Sequence, residues 1–176
     1  MIYVALLRGV NVAGRTVPSK MLRELFGGAG FTGVKTILAS GNVRFESADT
    51  DADTVKTAVE AALRQSLGFD VTVHLRTLED IKAVIAADPF RVVTVTPDIR
   101  RYVSFYSAAP KGALPVPYTS DNGDIRVLVR TDGEVYGVVT LTPRTGTTDY
   151  MALLDREYGS TVTTRNWNTL LKLAAD

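Results

Sequence analysis

Two short polar turns carry the residue types that could hold a ligand. Arg8-Gly9-Val10-Asn11-Val12-Ala13-Gly14 follows the apolar run Ile2 to Leu7, and Ser40-Gly41-Asn42 separates two further apolar runs. An arginine on a glycine-rich turn that leads into a helix suits anion binding. The helix start offers unpaired N–H groups and the positive end of the dipole. Arg8 has a structural role open to it as well, hydrogen-bonding loop carbonyls and closing a sheet edge. The spacing is not that of a Walker loop, because the glycines run into Arg15-Thr16 without the lysine. Ser40 and Asn42 offer side chains to a ligand, although Gly41 and Asn42 equally suit a tight turn that accepts positive φ. As a nucleophile Ser40 has no evident histidine base.

A second cluster closes the chain. Thr163-Thr164-Arg165-Asn166-Trp167-Asn168 reads as the opening of a helix and leaves two readings standing. In one, Arg165 clamps an anion at the helix start with Asn166 beside it. In the other, Thr164 caps the helix, Trp167 fills the core and the asparagines tie the helix to a loop. Pro143 to Thr148 forms a further polar turn, read as a surface loop in preference to a phosphate cradle. His74 falls on the polar phase of Val71-Thr72-Val73-His74-Leu75 and is expected at the surface. The carboxylates are scattered as caps and surface pairs, so no dyad for acid–base work stands out and no catalytic residue is assigned.

Composition narrows the chemistry. The 176 residues include 20 Lys plus Arg against 19 Asp plus Glu, one histidine and no cysteine. Thiol nucleophiles, disulfides and thiolate metal sites are excluded, and a metal site is not expected. Near-neutral charge argues against nucleic acid as the main partner. The apolar opening is broken at Arg8 and has no basic flank, which points to a cytoplasmic protein without membrane contact. No cofactor or oligomeric state follows from the sequence.

The elements that must position these residues follow hydrophobic periodicity. Met1–Leu7 reads as a central strand, followed by a helix with Pro18 in its first turn and Met21, Leu22, Leu25, Phe26 and Ala29 inside. Val34–Ala39 and Val43–Glu46 form a hairpin, a second helix buries Val55, Val59, Ala62, Leu63 and Leu67, and Val71–Arg76 is a fourth strand. The order is βαββαβ, the ferredoxin-like unit. A right-handed crossover brings the ends of the first two strands, and hence both turns, to one edge. The second half opens with a capping box at Thr77 to Asp80, has strands over 102–107, 125–130 and 135–141, and ends in helices around Leu153 and Trp167. Residues 1–76 and 77–176 are thus expected as two halves of one compact α+β unit.

Four segments together resemble the bacterial family called domain of unknown function 1697. They are Leu6 to Val12, Ser40 to Val43 with Phe45, Asp88-Pro89-Phe90, and Thr163 to Thr169. The resemblance implies two ferredoxin-like halves and no particular activity. Ala13 stands where the family usually has glycine, and Gly27-Gly28 interrupt a helix that usually runs further. The reading is a binding module for a small anionic ligand, phosphate-bearing ones included, using Arg8, Asn11, Ser40 and Asn42, with Arg165 and Asn166 as further candidates. The alternatives are an enzyme of unknown reaction in the same pocket, or an RNA or protein interaction module.

Overall fold

A continuous apolar run such as Ile2 to Leu7 is stable as a strand only where both sheet faces are covered. In the computed structural model, β1 (Ile2–Arg8) is such a strand, with Tyr3, Val4, Ala5 and Leu6 all fully buried. The structure describes residues 1–12, 14–39, 41–107, 109–112 and 114–175. The fold is α+β, built on two antiparallel sheets. By contacts the chain forms two units, Met1–Ala83 with Leu171–Asp176, and Val84–Leu170.

The first unit holds β1, α1 (Ser19–Gly28), β2 (Thr32–Thr36), β3 (Asn42–Glu46), α2 (Ala52–Leu67) and β4 (Thr72–Thr77). Its strand order is β2-β3-β1-β4, every neighbouring pair antiparallel, which is the order that right-handed βαβ crossovers impose. One face packs on the helices. Tyr3, Ala5, Leu7, Val43, Phe45 and Val73 from the strands meet Leu22, Leu25 and Phe26 of α1 and Val55, Val59 and Leu63 of α2. Phe45 lies at the centre, with ring centroids 5.1 Å from Phe26, 4.6 Å from Phe31 and 5.9 Å from Tyr3. The helix ends are chemically marked. Asp51 accepts from Thr54 N at 3.0 Å, and Gly68 ends α2 at φ 75°.

On the opposite face Val4 and Leu6 are also fully buried, and this corrects one expectation. His74 is 3% exposed, not at the surface. It sits opposite Leu6 on β1, and on the other side Leu6 faces Asn42, so a polar-phase residue here enters a second covered layer. Alternation reports which residues share a face; it does not report which face is wet. The β2–β3 connection is wider than a tight hairpin. β2 stops at Thr36, Leu38 adopts φ 58° and is half exposed, and Ile37 N donates to Asn42 O at 3.0 Å.

α3 (Leu78–Ala87) begins at the expected capping box, Asp80 N donating to Thr77 Oγ1 and Thr77 N to Asp80 Oδ2. The second unit holds β5 (Ile99–Phe105), β6 (Tyr118–Thr119), β7 (Ile125–Arg130), β8 (Glu134–Thr140), α4 (Thr147–Tyr158) and β9 (Thr163–Asn166). Its order is β6-β7-β8-β5-β9, so β7, β8, β5 and β9 repeat the arrangement of the first sheet. Among the described residues no helix stands between β5 and β7. The Pro/Gly-rich stretch there carries only the short β6, so the second unit's strands and helix run ββββαβ where βαββαβ was expected. α4 lays Tyr150, Leu153, Leu154 and Tyr158 on the sheet, and Tyr150 packs so closely over Gly137 that a Cβ there would collide with it. α5 (Trp167–Ala174) follows β9 directly.

Candidate functional site

The two polar turns are neighbours, as the strand directions require. Leu7 N donates to Gly41 O at 2.8 Å, and Asn11 Nδ2 donates to Ala39 O at 2.7 Å. Asn11 works in both directions, its Oδ1 accepting from Val17 N at 2.7 Å. Its own backbone sits at φ 57°, a left-handed conformation that asparagine tolerates better than most residues. Asn11 N donates to Arg15 O and Arg15 N to Val12 O, which closes the turn on itself. Gly41 has φ 70°, and a Cβ there would run into the side chains of Val10 and Leu7. The pair is therefore one fixed assembly, with buried Val10 as its apolar anchor.

Two arginines flank it. Arg8, half buried, ends β1 opposite Thr72 of β4. Arg15 is exposed, with its guanidinium carbon 4.8 Å from the centroid of the Phe69 ring, a cation–π placement that holds the charge beside the turn. Nothing in the linear pattern brings Arg15 onto Phe69; only the fold does. Pro18 stands at the N-cap of α1 with no side-chain cap, and the first turn has no acidic residue. Across residues 1–45 Glu24 is the sole acid, against Arg8, Arg15, Lys20, Arg23, Lys35 and Arg44, so the balanced total conceals a basic N-terminal stretch.

The other named residues divide. Ser40 lies outside the described residues. Asn42 is fully buried, opposite Leu6 on β3, and its Nδ2 donates to Ile37 O at 2.9 Å; it shapes the turn from inside. Arg165 and Asn166 belong to the second unit and lie on strand β9, where a helix start was expected. Arg165 is buried, opposite Val103, with Nη1 donating to Thr163 Oγ1 at 2.7 Å and to Thr164 O at 2.9 Å. Asn166 Oδ1 accepts from Asn168 N at 2.9 Å, so Asn166, not Thr164, caps α5. Trp167 is 4% exposed and meets Phe90 edge-on at 5.0 Å. The inner stripe runs through Trp167, Leu170 and Leu173, while Leu171 faces outward.

The turn before α4 is built as a polar lock. Thr142 Oγ1 donates to Asp124 Oδ2, and Asn122 Nδ2 donates to both Asp124 Oδ2 and Thr145 Oγ1. A carboxylate at its centre opposes anion binding. Among the described residues no three His, Asp or Glu side chains gather as a metal ion would require, and no helix is long and apolar enough to cross a membrane.

Fold and site together define an α+β protein with two antiparallel sheets, whose N-terminal βαββαβ unit ends in a rigid basic turn pair. Residues 1–136 match the family described as "Protein of unknown function (DUF1697)", and the chain belongs to that family. The matched span includes the first three of the four segments named above. No curated protein matches the chain. Among solved structures it is similar to the conserved bacterial protein SP0830 from Streptococcus pneumoniae, with a TM-score of 0.71 and 22% identity over 98% of this chain and 96% of that one. At that identity the likeness concerns the fold.

Proposed function

We propose that the chain is a binding protein for a small anion, phosphate-bearing ligands included, seated where the Gly9–Gly14 turn meets the β2–β3 turn. Arg8 and Arg15 supply charge, the uncapped start of α1 supplies N–H donors, and Ser40 supplies a hydroxyl. Asn11 and Asn42 position these groups and do not themselves hold the ligand. Arg165 and Asn166 are assigned to the fold. The observation that carries this reading is the double anchoring by Asn11, to Ala39 O and from Val17 N. It fixes a polar turn in advance of binding, which lowers the entropic cost of capture.

The RNA alternative needs aromatic rings displayed on the central strands for base stacking. The candidates are Tyr3 and Phe45, and both are fully buried beneath the helices. An enzyme reading needs a base for Ser40, and the one histidine of the chain, His74, is buried opposite Leu6 on β1.

The test is a thermal-shift titration with inorganic phosphate on the full chain and on Arg15→Glu. Arg15 is exposed, so the variant should fold. Ligand at about 100 times its Kd stabilises by roughly 2.7 kcal/mol. The wild type should show a saturable rise that Arg15→Glu loses. Equal responses in both proteins, or none in either, would remove this site.

A further inference from the structure

A groove enclosing about 390 Å3 opens along the outer edge of the first unit. It is lined by Arg23 of α1, Val34, Lys35 and Thr36 of β2, Ile37, Arg44 of β3, and Lys172 and Ala175 at the chain's end. All of these belong to the same unit. Four cations therefore converge from four elements, and among the described residues no acidic one lines the cavity. None of the four forms an ion pair with a described residue. Among the described residues their hydrogen-bond acceptors are neutral: Arg23 Nη1 donates to Thr36 Oγ1 at 3.0 Å, and Arg44 Nη1 donates to the backbone Leu173 O at 3.3 Å and Ala175 O at 2.5 Å.

Arg44 and Lys172 have a partial structural reason, since cations at a helix C-terminus offset the dipole of α5. Lys35 has none. It lies directly opposite Arg44 across β2 and β3, a like-charge cross-strand pair that weakens a sheet when nothing neutralises it. The groove offers no aromatic ring for a base to stack on. Strand addition by a peptide is also disfavoured, because β2 is bulged between Thr32 and Lys35 with Gly33 at φ 59°. What remains is charge spread around a small cavity.

We propose that this groove is a second binding site, taking a small, multiply charged anion of the oligophosphate type. Lys35, Arg23 and Lys172 contact the anion, and Arg44 stays tied to the α5 carbonyls while contributing field. Ile37 of the β2–β3 connection lines the groove, but none of the four cations belongs to the turn pair, and the proposal stands independently of it.

Isothermal titration of the full chain with inorganic tripolyphosphate at fixed ionic strength tests this. The wild type should bind, and Lys35→Glu should bind roughly tenfold or more weakly, because a like charge is set against the ligand. Without anion, Lys35→Glu should melt no lower than wild type, since its carboxylate faces Arg44. Lys172→Gln should weaken binding with the melting temperature unchanged, and Arg15→Glu should leave tripolyphosphate affinity at this groove intact. Unchanged affinity in both Lys35→Glu and Lys172→Gln overturns the proposal. So does a single-stranded RNA that binds more tightly than tripolyphosphate with the same sensitivity to Lys35→Glu.

Discussion

Asn11 and Ala39 are joined by a hydrogen bond of 2.7 Å that spans 28 residues of sequence and links the end of β1 to the end of β2. The same side chain accepts from Val17 N, so one carboxamide fastens two turns and the approach to α1. Asn11→Ala removes both bonds and leaves a Cβ residue without asparagine's tolerance for φ 57°. At about 1 kcal/mol per hydrogen bond and roughly 1–2 kcal/mol for the left-handed backbone, the loss should be about 2–4 kcal/mol. Chemical denaturation checks it. A loss under about 0.5 kcal/mol would mean that the turns do not depend on Asn11.

Two glycines should respond in opposite directions. Gly41→Ala meets both a positive φ and collisions with Val10 and Leu7, so it should destabilise by about 1–3 kcal/mol. Gly27 lies in the last turn of α1 with open space where a Cβ would go. Gly27→Ala should stabilise by up to about 1 kcal/mol. Thermal melts of the two variants, run side by side, should bracket the wild type.

Much of this was legible beforehand, and the failures share a cause. Period-two and period-3.6 patterns locate the N-terminal elements, and crossover handedness brings the end of β1 to the edge where Gly41 and Asn42 lie. His74 was misplaced because the sheet is covered on both faces. Arg165 was read as a helix start because Thr163 and Thr164 are good caps, yet pairing with Val103 and Phe105 on β5 draws Thr163–Asn166 into a strand. Tertiary pairing there overrides the local signal. Among the described residues the stretch after Tyr106 carries no helix, since proline and glycine interrupt it. The basic groove could not be read at all: Arg44 and Lys172 meet only through the fold.

The second unit contains a tyrosine whose hydroxyl is misplaced for stability. Tyr150 is fully buried, and its OH makes no hydrogen bond of good geometry among the described residues, with the Ser104 hydroxyl alongside. The neighbouring Ser104 hydroxyl is engaged with Thr164 Oγ1 at 2.7 Å. Burial pushes the Tyr150 phenol well above its ordinary value of 10.0; the nearby Ser104 hydroxyl offsets part of the rise, and Tyr158 and Tyr102 add to it. The folded state thus favours the neutral phenol. Its contribution is full below the unfolded value and is lost as pH rises above about 10. Tyr150→Phe should be neutral or stabilising by up to about 2 kcal/mol at pH 7, and it should retain more of its stability in alkali. Denaturation midpoints at pH 7 and above pH 10 test both halves. A Phe variant that unfolds in alkali as steeply as wild type contradicts the assignment.

Arg165 and Trp167 are assigned to the fold, and their variants should behave accordingly. Trp167→Ala opens a hole beside Phe90 and should cost about 3–5 kcal/mol. Arg165→Ala loses charge-assisted bonds to Thr163 and Thr164 and should cost about 1.5–3 kcal/mol. The Arg165→Ala melting temperature should fall equally with and without phosphate. A loss seen only in the phosphate-bound protein would return Arg165 to the ligand site.

The central claim is that the joined turns receive an anion through their backbone N–H groups and flanking arginines. A 1H–15N NMR titration of the full chain with inorganic phosphate reads that site directly. The amides of Gly9 to Gly14, Ser40 and Gly41, and those opening α1 from Ser19, should shift together along one saturable curve. Arg15→Glu should flatten that curve while leaving the amides of the second unit where they were. Saturable shifts confined to other residues, or no shifts at Gly9, Gly14 and Gly41 up to the concentration at which ionic strength alone moves the spectrum, would contradict the account.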